Sequence, residues 1–339
     1  MTDNFKLKAQ RCEEMLVAGQ GDEAAPTGGD ATKMPEAWRS AFLEQGLLQA
    51  PVEATSPEAV PDMVALMVMK ADATSKNATF TEALVDRTVQ FGQPYPAVTH
   101  VELWVGDRPG EKVEDNHFST YLGTTRGALW TSGLTDSKKF YSSAAWSAIP
   151  IFAPNVERRV RAECNLHNGT PYPSAALLWQ YPMSIWPFRA LSGFMDDRIN
   201  SPAHCAALSA RILRSAVPEV SLPHASHWFG PSSLYLELST PERMERALAA
   251  QRPVVRSQAE EEHDDALADR LTLSSDDEVV AMSRLDARQA LHALAIQVLR
   301  AGSRVKGVDP DQDAKRAAEE RFARGLTRYT WLHRKENAR

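Results

Sequence analysis

The sequence has few cysteines and no excess of positive charge. Its 339 residues include three cysteines, Cys12, Cys164 and Cys205, so we expect free thiols rather than a disulfide framework. Lys and Arg number 38 against 44 Asp and Glu, which gives a formal net charge of -6. Because phosphate affinity depends on clustered basic residues, the sequence predicts no nucleic-acid partner.

Long apolar runs are also missing. The best candidate, around residues 177–195, is interrupted by Pro182, Pro187 and Arg189, so we expect no transmembrane segment. The first residues, MTDNFKLKAQRCEEM, lack the apolar stretch of a signal peptide. The sequence therefore predicts an intracellular, cytoplasmic protein.

The remaining composition is that of a globular protein, with 43% hydrophobic and 24% charged residues. A chain of this length can bury one good-sized core with appendages. We predict a short N-terminal helix with a Gly/Ala/Asp-rich flexible segment over 1–58, a folded core over 59–240, and a charged linker with a helical hairpin over 241–339.

Short apolar runs bounded by turn residues predict a small antiparallel sheet. DMVALMVMK is suited to a buried strand, and VTHVELWVGD alternates apolar and polar residues up to a turn at 106–107. HFSTYLG, GALWTS and AWSAIPIFA are predicted as further strands, and VERRVRAEC and SPAHCAALSARILRSAV as helices. These patterns predict an α+β fold in which the sheet packs on helices.

Cys205 lies in the first turn of a predicted helix. Ser201 can cap this helix, and Pro202 can occupy its first turn. The pKa of a thiol falls at a helix N-terminus beside an imidazole, and the N–H groups of the same turn can bind an oxyanion. The position of Cys205 therefore predicts a nucleophile.

Two histidines are candidates to act with this thiol. His100 begins a predicted central strand, which would hold its ring rigidly as a general base. A third polar group should orient that ring; His117, on the following strand, is the first candidate and Asn116 the second. Glu102 shares a face with His100 by alternation, and we interpret it as a solvated acid.

HVELWVGD and SPAHCAALSARIL resemble the histidine strand and the cysteine helix of the permuted NlpC/P60 superfamily of papain-like proteins. The resemblance covers residues 61–238 and implies a permuted papain-like core in which the histidine strand precedes the cysteine helix. Members of that superfamily include amidases, peptidases and lipid acyltransferases of the lecithin–retinol type. HFSTYLG with Trp130, together with FGPSSLYLEL, is similar to permuted papain-like proteins of large DNA viruses, which would make the protein virus-associated.

The sequence departs from the superfamily pattern at two places. His204 precedes the cysteine, where Asn or another polar residue is more usual. The loop between His100 and His117 is longer than in the acyltransferase branch. Both departures affect the assignment of the third catalytic residue.

The leading hypothesis is a cysteine hydrolase of an acyl bond, most readily a peptidase or amidase. Cys205 would be the nucleophile, His100 the base and then the acid, and His117 the orienting residue. The substrate would be a peptide, an amide or an acyl lipid, and the chemistry requires no cofactor. A lipid acyltransferase ranks lower because the sequence lacks a membrane anchor.

Two other classes of protein remain open. One is a catalytically inactive papain-like scaffold that serves as an interaction or virion-structural protein, with the amphipathic patterns near 278–300 and 312–334 docking a protein partner. The other is a zinc-stabilised binding module whose ligands would come from the pairs Cys164–His167 and His224–His227 and the adjacent His204 and Cys205.

Overall fold

The computed structural model describes residues 62–70, 98–106, 116–120, 127–131, 146–171, 203–251, 258–275, 278–279, 281–305 and 307–337. The segment predicted over 1–58, including Cys12, lies outside these residues. Residues 60–339 form one compact unit. Within the described ranges, no helix is both long enough and apolar enough to cross a membrane.

The strands of the described residues form one antiparallel sheet, as the sequence predicts. Its strands are β1 (Met63–Lys70), β2 (Val98–Val105), β3 (His117–Ser119), β4 (Leu129–Thr131) and β5 (Trp146–Phe152). They lie in the order β4-β3-β2-β1-β5. Strand β1 is apolar along almost its whole length because β2 and β5 flank it and Met63–Met69 are buried.

Seven α-helices surround the sheet in the described part of the chain, which confirms the α+β class. They are α1 (Val156–Leu166), α2 (Cys205–Ala216), α3 (Pro231–Leu238), α4 (Pro241–Ala250), α5 (Gln258–Leu273), α6 (Arg284–Gly302) and α7 (Gln312–Asn337). Helix α2 packs against β2 and β3, and α3 packs against β2. The predicted cysteine helix therefore lies beside the predicted histidine strand.

Helices cover both faces of the sheet. Trp104 on β2 pairs with His117 on β3, so these two side chains share a face. The next residue, Phe118, pairs with Trp130 on the opposite face. Trp104 contacts the tyrosine of α7, with ring centroids 5.8 Å apart, whereas the guanidinium of Arg161 on α1 lies 4.8 Å from the centroid of Trp130. Strand β2 is therefore an interior strand with protein on each side.

The C-terminal helices pack directly on the sheet. Helices α6 and α7 contact β5 and each other, and α4 and α5 pack on α6. Trp104 Nε1 donates a hydrogen bond of 3.1 Å to Thr330 Oγ1 on α7. The region after residue 240 therefore belongs to the same compact unit as the sheet.

Part of the charged linker predicted after residue 240 is instead helical, so that part of the prediction is wrong. Residues 258–273 form α5. Glu261 and Glu262 are exposed, whereas Leu267, Ala268 and Leu271 are buried and face α6 and α7 as part of the core. The charges on the outer side of the helix hide this narrow apolar stripe in the sequence.

Candidate active site

Cys205 is the first residue of α2, which confirms its predicted place in the first helical turn. The helix begins there because His204 is the N-cap: its backbone is extended, and its Nδ1 accepts the N–H of Ala207 at 3.4 Å. The prediction that Ser201 caps this helix is therefore wrong; Ser201 and Pro202 lie outside the described residues. Cys205 and His204 are both buried.

His100 is the partner of this thiol. It lies near the start of β2, and its imidazole and the thiol of Cys205 shift each other's pKa through charge and a side-chain hydrogen bond. The ring also makes an edge contact with Trp146 on β5, with centroids 6.3 Å apart. The structure therefore brings together the two residues predicted as base and nucleophile, although 105 positions separate them in the sequence.

Glu102 lies between the two histidines that the sequence singled out. Its Oε1 is 3.4 Å from His100 Nε2, and its Oε2 accepts a hydrogen bond of 3.0 Å from His117 Nδ1. Only 1% of its side chain is exposed, so the interpretation of Glu102 as a solvated acid is wrong. The reason is that β2 is an interior strand whose two faces are both covered.

His117, predicted as the orienting residue, contacts Glu102. It is buried on β3, and its Nε2 has no hydrogen-bond partner within the described structure. The second candidate, Asn116, bonds to the backbone of β2: its Nδ2 donates to Val105 O at 2.9 Å, and its own carbonyl accepts the Val105 N–H at 2.8 Å. Asn116 therefore extends the β2–β3 pairing, and the carboxylate of Glu102 connects the two histidines.

The environment favours the charged forms of both Cys205 and His100. Burial alone raises the pKa of the Cys205 thiol, but the charge and hydrogen bond of His100, followed by those of His204, lower it to about 5. Burial alone lowers the pKa of His100, but Cys205 and Glu102 raise it. The two groups titrate as a pair, and the direction for both is toward a thiolate beside an imidazolium.

The carboxylate of Glu102 is held ionised by the same contacts. Burial raises its pKa, but the contact with His100, the hydrogen bond with His117 and the charges of both rings lower it to about 2. A buried carboxylate is stable only when it is paired in this way. The negative charge of Glu102 in turn favours the protonated form of His100.

No metal site was found among the described residues, where no three or more His, Cys, Asp and Glu side chains are arranged to hold an ion. Cys164 is buried on α1, and burial raises the pKa of its thiol well above the ordinary value. His224 stacks on Trp228, with ring centroids 3.6 Å apart, and the side chain of His227 lies outside the described residues. The zinc-module hypothesis has no support from the residues that the structure describes.

Sequence reasoning missed the roles of two residues in this cluster. Alternation along β2 placed Glu102 beside His100, but it could not show that this face of the strand is covered. His204 was noticed only as a departure from the superfamily pattern, although a side chain directly before a helix-starting residue occupies the capping position. The signal for Glu102 was a carboxylate two residues after a histidine on the same strand. The signal for His204 was its position directly before the first residue of a predicted helix.

No family model matches the chain, and no curated protein or solved structure matches it. The chemistry of the site therefore has to be argued from its own residues. A thiolate is a strong nucleophile for carbonyl carbon, and a neighbouring imidazolium can deliver a proton to a leaving group. Thiol, imidazole and carboxylate in series form a nucleophile, an acid–base and an orienting group.

Proposed function

We propose that the protein is a cysteine hydrolase that cleaves an acyl bond through a covalent acyl-enzyme. The observation that carries this proposal is the hydrogen-bonded pair of Cys205 at a helix N-terminus and His100 on the neighbouring strand. A buried cysteine alone would be inert packing, as Cys164 illustrates. The lowered pKa of Cys205 is the property that a nucleophile needs at neutral pH.

Catalysis would proceed in two steps. The Cys205 thiolate attacks the carbonyl carbon, a C–S bond forms, and the bond to the leaving amine or alcohol breaks as His100 gives it a proton. Neutral His100 then removes a proton from water, the hydroxide attacks the thioester, and the C–S bond breaks with its electron pair returning to sulfur. The acid product leaves, and the thiolate–imidazolium pair is restored.

In this proposal Glu102 takes the orienting role that the sequence assigned to His117. Its Oε1 faces Nε2 of His100, so we assign Nδ1 of His100 to the thiol. His117 acts one position further out, because its contact with Oε2 fixes the carboxylate of Glu102. Glu102 and His117 are therefore positioning residues, while Cys205 and His100 are the catalytic ones.

The order of the elements supports a permuted papain-like arrangement. The histidine strand, Val98–Val105, precedes the cysteine helix, Cys205–Ala216, and the two pack against each other. This is the order expected from the resemblance to the permuted NlpC/P60 superfamily. Within that group we favour a peptidase or amidase, with a peptide or amide as the substrate.

The proposal is tested by trapping the acyl-enzyme. The full chain is mixed with p-nitrophenyl acetate, and the release of nitrophenolate is followed together with the intact mass after an acid quench. We expect a burst that is stoichiometric with enzyme and an acetyl group that maps to Cys205. Cys205→Ser and His100→Ala should abolish the burst.

Cys164→Ala is the matched control, because it removes the other cysteine of the described core. This variant should retain the burst and the adduct. Acetylation that maps elsewhere, or that is unchanged in Cys205→Ser, would refute the proposed nucleophile.

A further inference from the structure

A second imidazole lies next to the proposed nucleophile. His204 directly precedes Cys205, only 6% of it is exposed, and its ring is fixed by the contact of Nδ1 with the Ala207 N–H. His204 is also one of the two histidines that lower the pKa of the Cys205 thiol. None of the steps described above uses this histidine. Serine, threonine, aspartate and asparagine are the common helix caps, so capping alone does not explain an imidazole here.

The capping contact fixes the tautomer of His204. A neutral imidazole carries one proton, and the nitrogen that accepts a hydrogen bond must be the one without it. Because Nδ1 accepts the N–H of Ala207, the proton of the neutral ring is on Nε2. The Nε2–H is then the group that would donate to the sulfur of Cys205.

We propose that His204 is a hydrogen-bond donor to the Cys205 sulfur, separate from its capping role and from the acid–base role of His100. This inference rests on the proposed function, because it concerns the same nucleophile. His100 must release and recover a proton in each cycle, whereas none of the steps takes a proton from His204. It would stabilise the thiolate before attack, and again when the C–S bond breaks and the electron pair returns to sulfur.

Among the titratable neighbours of Cys205, His100 and His204 have the largest effects on the pKa of its thiol. His100 acts from β2, with Glu102 on that strand and His117 on β3 behind it, and His204 acts from the start of α2. His204 should therefore keep part of its effect on the pKa of the Cys205 thiol when His100 is removed. In a site with a single histidine, removing that histidine leaves only burial and the helix N-terminus to shift the pKa of the thiol.

The inference is tested by the pH dependence of iodoacetamide alkylation at Cys205 in His204→Ser. Serine is a good N-cap, so α2 keeps a partner for the Ala207 N–H while the imidazole is lost. We expect the midpoint of the profile to rise by about 1 pH unit, as for loss of one hydrogen bond to a charged group. The melting temperature should stay close to that of wild type.

His204→Asn and His263→Ser complete the design. Asparagine caps the helix and also offers an N–H, so its midpoint should lie between those of wild type and His204→Ser. His263 is exposed on α5, and His263→Ser should leave the midpoint unchanged.

The outcomes separate this inference from the proposed function. A low midpoint in wild type that neither His204 variant moves would overturn the role of His204 and leave Cys205–His100 intact. A wild-type midpoint at the ordinary value for a thiol, about 8.5, would overturn both. If His204→Ser does not fold, the comparison of His204→Asn with wild type decides in the same way.

Discussion

Glu102 lies in the interior between two imidazoles, where an unpaired carboxylate would take up a proton. Its two oxygens face different histidines, His100 and His117, and this pairing lowers its pKa to about 2. The negative charge is thus present at neutral pH and favours the imidazolium form of His100. The thiolate at Cys205 depends on that imidazolium, so the charge of Glu102 acts on the proposed nucleophile through His100.

Replacing Glu102 by glutamine tests this coupling. The amide keeps the shape of the side chain but removes the charge, so the pKa of His100 should fall and that of Cys205 should rise. We expect Cys205 alkylation by iodoacetamide at pH 6 to slow by roughly 2-fold, because a rise of about 1 in a thiol pKa near 5 lowers the thiolate fraction at that pH from about nine-tenths to about half. The measurement is the rate of alkylation over a series of pH values.

Asn116→Ala is the control for Glu102→Gln. It removes the bond from Nδ2 to Val105 O, so the free energy of unfolding should fall by about 1 kcal/mol. The alkylation midpoint should not move, because Asn116 contacts the backbone rather than His100. Equal shifts in the two variants would contradict the orienting role of Glu102.

The sequence predicted the local position of single residues better than it predicted their burial and contacts. The placement of Cys205 in a first helical turn and of His100 on a strand follows from local patterns, which are short-range. The depth of Glu102 depends on α7 and other distant elements that cover the sheet, and no local pattern reports those contacts. The same limit led to His117 being assigned the contact with His100 that Glu102 makes.

Individual elements were predicted best where a run was strongly apolar or alternating. Strands β1, β2 and β5 are of this kind, and α6 and α7 fall within or close to the predicted amphipathic patterns. Helix α5 was missed because its acidic residues suggested a linker. Among its described residues the buried apolar side chains are Leu267, Ala268 and Leu271, while Glu261 on the outer side pairs with Arg300 of α6.

The turn before β4 depends on a glycine at 127. Its φ is +71°, and a methyl group there would overlap the carbonyl oxygens of Gly169 and Thr170. The next residue, Ala128, donates its N–H to Thr170 O at 2.8 Å, which holds the two backbones together at this point. Gly127→Ala should therefore lower the free energy of unfolding by about 3 kcal/mol, from left-handed strain and overpacking together.

Gly307→Ala isolates the backbone part of this effect. Gly307 has a φ of +81°, but nothing lies within 4 Å of the position of an added methyl group. Its substitution should cost only about 1–2 kcal/mol. Urea unfolding of the two variants measures these losses, and equal losses would contradict the close approach at Gly127.

At the scale of the whole molecule, contacts between distant segments join the helices after residue 240 to the sheet. Glu157 on α1 accepts from the Met63 N–H at the start of β1 and pairs with Arg288 on α6, with 2.9 Å between Arg288 Nη2 and Glu157 Oε1. The sequence predicted a separate C-terminal hairpin because the intervening charges suggested a linker. A pair 131 residues apart has no signature in local composition.

Arg288→Met tests how much this pair contributes to the compact unit. Glu157 is 3% exposed and would keep a buried carboxylate without its guanidinium partner, so the free energy of unfolding should fall by about 3–5 kcal/mol. Arg300→Met breaks a pair with Glu261 whose two side chains are about half exposed, and it should cost less than about 1 kcal/mol. Urea unfolding of both variants supplies the comparison, and similar losses would contradict the structural role of the buried pair.

The most direct test of the central claim is the pH dependence of Cys205 alkylation in the wild-type protein, compared with His100→Ala. A thiolate–imidazolium pair predicts a midpoint near the lowered pKa of about 5, and an upward shift when His100 is removed. The sign follows because the thiolate exists above its pKa, so reactivity is kept from that midpoint upward and lost below it. A single midpoint near 8.5, the same in wild type and His100→Ala, would contradict the account.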